Sequence, residues 1–326
     1  MEKPRLLDQV HATCCLRHYS SRTEEAYIYW IRRYIFFHNK RHPLVMAENE
    51  IREFLSYLAV KEHVSASTQN QALNALIFLY HHVLKKALGS LGDIERAHRA
   101  HHLPTVFTQA EAAAVLAQME GRTKLMASLL YGAGLRLLEC LHLRVKDIGF
   151  LSNQIVIRNG KGFKDRITVL PQSAKEPLKH HLKMLKLLHE RDLSDGFGEA
   201  SMPDALERKY PNAPKEWSWQ YVFPASHRSH IPGTTKLRRH HLDESVLQRA
   251  VKEAVRKAGI AKHASCHTFR HSFATHLLEN GYTHVMDKGV HRVTSPLDRV
   301  AHGWKSQEGV RECERLVTWA SSTSSA

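Results

Sequence analysis

The chain has no uninterrupted apolar run approaching the roughly 18 residues a membrane helix needs. It also has no C-x-x-C motif. Its five cysteines, Cys14, Cys15, Cys140, Cys266 and Cys313, are odd in number and irregular in spacing, which argues against a disulfide framework. His267, His271 and His276 lie near Cys266, but no second ligand pair stands at zinc spacing, which argues against a structural zinc there. The opening MEKPRLLDQVHATCC lacks an apolar h-region and a cleavage site, so the expected compartment is the cytoplasm, with no membrane partner. Acidic residues are scarce: 32 Asp and Glu stand against 47 Lys and Arg, giving a net charge of +15. A surplus this large points to a polyanionic partner, most often nucleic acid, although a merely solvated basic surface has the same composition.

Hydrophobic residues are 43% and charged residues 24%, which excludes wholesale disorder. At about 150 residues per domain, 326 residues predict roughly two domains. Residues 1–88 read as all helix. Tyr27, Ile31, Tyr34 and Ile35 recur at helical spacing, and Ile51, Phe54, Leu55 and Leu58 share one face of a second helix. A third runs through Leu73, Leu76 and Tyr80, with Ser67 or Thr68 as its cap and Gly89 as its end. Residues 89–104, GSLGDIERAHRAHHLP, read as a linker. A second domain is expected over 105–300, followed by an unsettled tail at 301–326. It opens on a Thr108–Glu111 capping box. QIVIR and RITVL alternate like strands around the loop NGKGFKD, and an irregular insert spans about 192–222. The fold expected is mainly α, a small helical domain joined to a helical domain with a small β-sheet.

Four cations stand in informative contexts: Arg136 in GAGLRLLEC, Lys161 in GKGFKDR, and His267 and Arg270 in CHTFRHSF. Singly, each has an ordinary explanation. Such an arginine usually pairs with an acid such as Glu139, a hairpin lysine is usually solvated, and H-x-x-R arises by chance. In this order, GAGLRLLEC, GKGFKDR and HTFRHSFATHLLENG resemble the catalytic segments of tyrosine recombinases. SRTEEAYIYWIRRYIFFHNKRHP, LHLRVKDI and the insert PDALERKYPNAPKEWSWQYVFPA before RRHHLDESVLQRAV narrow the resemblance to integron integrases, over about residues 5–300.

The resemblance implies a SAM-like core-binding domain and a catalytic domain that together clamp DNA, with tetramers as the active assembly. It implies phosphoryl transfer with no metal or high-energy cofactor, in which a tyrosine forms a 3′-phosphotyrosyl bond and frees a 5′-hydroxyl. Arg136 and Arg270 match the phosphate-clamping arginines. Lys161 matches the lysine that protonates the leaving oxygen, and His267 a histidine at the phosphate. The DNA partner implied is a duplex site and a folded single strand whose hairpin carries extrahelical bases. Trp219, Pro232, His240 and His241 fall where the family pockets such a base. Trp217 reads instead as a plug holding the insert down.

One stretch departs from the family. After HTFRHSFATHLLENG the pattern calls for a tyrosine, a helix, an L-G-H motif and then a nucleophile in a Y-T-H-V context. Here Gly281 runs directly into Tyr282-Thr283-His284-Val285. Tyr282 thus matches the nucleophile by its downstream neighbours and the tyrosine after NG by its upstream ones, as the junction of an internal deletion of roughly twenty residues, about a turn and a helix. The L-G-H histidine is missing; His284, His291 and His302 stand in other contexts. Tyr282 lies 12 positions beyond Arg270, about 18 Å of rise on a continuous helix. Three readings remain: an integron-type recombinase, a catalytically impaired DNA-binding remnant of one, and a transcriptional regulator. The last leaves the four cations without a shared purpose.

Overall fold

The computed structural model describes residues 4–89, 103–158, 165–202, 204–230, 237–279, 283–287 and 290–294. Lys161, Pro232 and Tyr282 lie outside these, as do most of the expected linker and the tail. The chain divides into two compact units, residues 1–102 and 103–326.

Unit 1 is helical: α1 (Leu6–Leu16), α2 (Ser21–Phe37), α3 (Glu48–Val60) and α4 (Ala66–Phe78). Ile31 and Tyr34 of α2 are buried, as are Ile51, Phe54, Leu55 and Leu58 of α3. Tyr34 and Tyr80 are fully buried and share a hydroxyl–hydroxyl hydrogen bond of 2.9 Å. Val10 and Cys14 fasten α1 through a second cluster with Ile31, Phe78 and Leu79. The sequence misplaces both ends of α4. Its N-cap is Ser65, whose Oγ accepts from the Thr68 N–H, not Ser67 or Thr68. At the other end a π-helical turn, Leu79–Val83, follows α4, and Lys85 then enters the left-handed region at φ 51°, before Gly89 is reached.

In unit 2 the Thr108–Glu111 capping box opens α5 (Gln109–Ala117), with bonds of 3.1 and 2.7 Å. Helix α6 (Gly121–Gly132) is buried along Leu125, Met126, Leu129, Leu130 and Tyr131 and is the centre of the unit. The short α7 (Leu137–Leu141) follows a glycine turn. Strands β1 (Ile148–Gly149), β2 (Gln154–Ile157) and β3 (Arg166–Val169) form an antiparallel sheet in that order, with Ile157 opposite Arg166. Next come α8 (Gln172–Ser194), α9 (Asp204–Lys209), and the paired strands β4 (Ser229–His230) and β5 (Leu237–Arg238). α10 (Glu244–Lys257) turns Leu247, Val251 and Ala254 inward. α11 (Cys266–Glu279) packs on α6, and a hairpin of β6 (Thr283–Asp287) and β7 (Val290–Thr294) follows it.

A buried relay ties α6, α11 and the start of the unit together. His276 Nε2 lies 2.9 Å from the Phe107 carbonyl, which can only accept, so Nε2 carries the proton. Nδ1 then accepts from the Tyr131 hydroxyl, also at 2.9 Å. Seven histidines among the described residues, His82, His142, His181, His189, His240, His271 and His276, are pushed below the ordinary value, in each case first by burial. A folded state whose histidines resist protonation binds fewer protons than the unfolded chain below about pH 6.5. Stability is therefore intact above that pH and lost as pH falls through the lowered folded values. A lower urea midpoint is expected at about pH 5.5 than at about pH 7.5. Equal midpoints, or a rise on acidification, would contradict this account.

Candidate active site

Arg136 is the N-cap of α7, so its position depends on the turn that precedes it. Gly134 makes that turn at φ +61°, and a Cβ there would lie 2.5 Å from the Phe273 ring. Both backbone freedom and space therefore require glycine. The turn is held from two sides. Thr168 Oγ1 of β3 donates to the Ala133 carbonyl at 2.8 Å, and Arg270 of α11 donates to the Gly134 carbonyl.

Glu139, in the first turn of α7, then collects the cations. Its Oε1 accepts from Arg136 Nη1 at 2.5 Å, and its Oε2 accepts from the Arg136 backbone N–H at 2.8 Å. Oε2 also accepts from Arg166 Nη2 of β3 and lies 3.9 Å from Arg270 Nη1. The side chains of Glu139, Arg166 and Arg270 are 8%, 1% and 9% exposed, against 28% for Arg136. Burial alone would push the Glu139 carboxyl up. Arg166 and the Arg136 donors outweigh it and hold the carboxyl below its usual range. Arg270 is pushed down to about 10, first by burial and then by Arg136 and Arg166, with Glu139 opposing.

Three guanidiniums around one carboxylate leave a surplus of positive charge in a partly dry setting. Such a surplus favours an anion, and planar guanidiniums bind phosphate oxygens through charge-assisted hydrogen bonds. Arg136, the most exposed of the three, is the member a ligand can reach. The ordinary pairing with Glu139 and a phosphate-clamping role are thus compatible: the carboxylate sets the geometry of the cations that remain in excess.

The sequence had already coupled Arg136 with Arg270, and the structure brings the two together. His267 sits in the first turn of α11, exposed, its ring 6.5 Å from that of His271. Arg166 was missed, although a signal existed. In R-I-T-V the polar Arg166 and Thr168 are 4% exposed, whereas Ile167 is 45% exposed. A strand that turns its polar residues inward is building a site rather than a plain core. Among the described residues, Arg166 Nε and Nη1 are buried with no hydrogen-bond partner.

A second constellation forms on the insert. Arg144 Nη1 donates to the Trp219 carbonyl at 2.6 Å and Nη2 to the Ser201 carbonyl at 2.7 Å. The buried Gln220 amide donates to the Gly198 and Pro214 carbonyls, and Arg239 grips Asp192 at 2.6 and 2.8 Å. Trp217 lies against His189, with ring centroids 5.8 Å apart. The half-buried Trp219 carries Lys146 Nζ over its ring at 2.7 Å. Lys146 is pushed down to about 8, first by burial and then by Arg158. The His240 and His241 rings are 4.0 Å apart, and both lie 5.6 Å from the Tyr221 ring. His142, at the C-cap of α7, adds a third imidazole: its Nε2 is 3.1 Å from His241 Nε2. Partial burial, then His241 and His240, push His142 down to about 4, and burial, then His241, also lowers His240, so these two imidazoles favour the uncharged form.

Comparison with known proteins is consistent with this geometry. Residues 6–90 match the model of the phage integrase N-terminal SAM-like domain, and residues 105–292 match that of the phage integrase family. Proteins named integrase/recombinase from Escherichia coli and Pseudomonas aeruginosa are each 42% identical over 314 residues, covering 90% of this chain and 93% of theirs. Among solved structures, the Tn1549 transposon integrase in complex with transposon right end DNA superposes with a TM-score of 0.57 at 15% identity, covering 86% of this chain and 88% of that one. With one arginine at the N-cap of α7, another on α11 and both family models matched in order, this chain belongs to the phage integrase family, the tyrosine recombinases that carry out site-specific DNA recombination.

Proposed function

We propose that this chain derives from an integron-type recombinase that captures cassettes by binding folded single-stranded hairpins, with an extrahelical base held by the insert. The carrying observation is the anchored insert: hydrogen bonds from Arg144 and Gln220 hold its backbone and Arg239 grips Asp192 at its start, while the half-buried ring of Trp219 lies beside Arg144 and Lys146. A base swung out of a stack exposes its faces, and an aromatic ring flanked by cations suits both the base and the adjoining phosphates. His240 and His241, joined by His142 and Tyr221, form a neighbouring polar aromatic wall. Arg136 and Arg270 are assigned to the scissile phosphate, Lys161 to the leaving oxygen and His267 to the phosphate edge. Pro232 is assigned to the base pocket. The assembly on DNA is assigned as a homotetramer, and the working compartment as the cytoplasm.

Trp219→Ala tests the base-binding role. It is expected to weaken binding of a bulged hairpin by about 1–3 kcal/mol and to leave the same hairpin without its bulge nearly unchanged. Gel-shift titrations at one fixed salt concentration read this out, because phosphate contacts make affinity fall steeply with salt. Equal losses on both hairpins would assign Trp219 to the packing of the insert instead.

A second reading has its own support. α11 ends at Glu279 and β6 begins at Thr283, so the Y-T-H-V context of Tyr282 leads into a strand. This favours a chain that retains DNA binding with impaired cleavage, as the deletion before Tyr282 implies.

A further inference from the structure

Unit 1 carries a cluster that strand transfer does not use. His11 and Cys15 are four residues apart on α1 and so share one face of the helix. Glu24, in the first turn of α2, meets them there. Their ligand atoms all lie within 4.8 Å of one another. The detailed contacts are ordered in a particular way. Glu24 Oε1 is 2.6 Å from His11 Nδ1, and the opposite ring nitrogen, Nε2, is 3.7 Å from Cys15 Sγ.

We propose that His11 Nε2 and Cys15 Sγ form a binding site for a thiophilic divalent cation such as Zn2+, with Glu24 as the positioning residue. Zn–S is about 2.3 Å and Zn–N about 2.0–2.1 Å, so two such donors on a tetrahedral ion stand about 3.5 Å apart. The 3.7 Å separation of Sγ and Nε2 matches that edge closely. A histidine ligand ordinarily donates its other N–H to a carboxylate, which fixes the tautomer and raises the basicity of the coordinating nitrogen. Glu24 stands at the nitrogen where that role is needed. Without metal the Cys15 S–H can donate to the same Nε2, so both donor atoms are already turned toward one another and a metal ion replaces that proton.

The surroundings fit an accessible site. The His11 side chain is 63% exposed and Cys15 is exposed, so the other coordination positions face solvent and can hold water. Cys14, next in sequence, packs in the core and is no second donor. Imidazole and thiolate together favour zinc-like ions over Mg2+ or Ca2+, which take oxygen donors. Binding forms S–metal and N–metal bonds, breaks two water–metal bonds and releases the thiol proton to solvent. Because Glu24 belongs to α2, an occupied site also links α1 to α2.

The test uses the full reduced chain carrying Cys313→Ser, titrated with Co2+ as a spectroscopic substitute for Zn2+. A thiolate-to-cobalt charge-transfer band is expected, saturating at an equimolar amount and abolished by added Zn2+. It should vanish in Cys15→Ser and in His11→Gln. In Glu24→Gln the band should remain while affinity falls about 10- to 100-fold, as for the loss of an outer-shell partner. Cys15 and His11 are exposed, and circular dichroism verifies that the variants fold. Absence of the band in the parent chain overturns the proposal, and so does an undiminished band in Cys15→Ser or in His11→Gln. Unchanged affinity in Glu24→Gln overturns the role given to that residue.

Discussion

Glu139→Ala is expected to destabilise unit 2 by about 3–5 kcal/mol, the usual cost of removing one partner from a buried ion pair. Three guanidiniums depend on this carboxylate, and two of them are nearly inaccessible to water. Without it Arg166 keeps its charge but loses its hydrogen-bonded acceptor, and Arg136, Arg166 and Arg270 repel one another. The exposed pair Lys179–Glu176 is the control: its loss should cost under about 1 kcal/mol. A second variant separates charge from packing. Glu139→Leu combined with Arg166→Met replaces the buried pair by apolar groups of similar size and should recover much of the lost stability. On the proposed assignment of Arg136 to the scissile phosphate, it should still bind DNA poorly there, since Arg136 loses the carboxylate that orients it. Urea unfolding monitored by fluorescence and circular dichroism measures both. Loss of under about 1 kcal/mol in Glu139→Ala would show that solvent reaches these cations in place of the carboxylate. The pH dependence has a definite sign. A carboxylate held below its usual range contributes stability above about pH 4.3, lost as pH falls through the lowered folded value.

The sequence was most informative where local chemistry decides. The capping box at Thr108 and the helical stripe of α3 follow from residues within a few positions of one another. Ser65 was missed because Ser67 and Thr68 offer the same chemistry two and three residues on, and only the start of the packed face selects among them. Gly89 looked like the stop for α4, yet Lys85 takes the left-handed conformation first, after a π-helical turn that no local pattern announces. In the site, the family resemblance paired Arg136 with Arg270 across 134 positions, and both lie against Glu139. Arg166 and His142 were not legible. Their roles depend on contacts with Glu139 and His241, 27 and 99 positions away, and local alternation gives no such pairing. The His11, Cys15 and Glu24 cluster proposed as a metal site was equally silent, because Glu24 joins His11 only through the packing of α1 on α2.

Strand cleavage by this chain is expected to be very low, and the reason is geometric before it is chemical. Helix α11 places Glu279 nine positions after Arg270, about 13–14 Å along the axis. Tyr282 follows three residues later and Thr283 already belongs to β6. Three extended residues span at most about 11 Å. A path back to the phosphate assigned to Arg270 needs about 13–14 Å along the axis, more than those three residues supply even before the reversal itself is counted. Proximity of a nucleophile contributes about 7–11 kcal/mol to lowering a barrier. On the proposed reading of a deletion before Tyr282, the absence of the L-G-H histidine is a smaller loss, about 100- to 1000-fold for one transition-state donor. The displaced tyrosine should therefore dominate. Inserting the family's turn and helix between Gly281 and Tyr282 is expected to restore a phosphotyrosyl adduct on a nicked suicide hairpin, whereas adding a histidine alone should not. The comparison needs the chain as it stands, the restored chain and Tyr282→Phe, each first shown to bind the hairpin. A strong adduct with the unaltered chain that disappears in Tyr282→Phe would mean that Tyr282 does reach a phosphate, its own or that of a neighbouring subunit, and the geometric argument would fail.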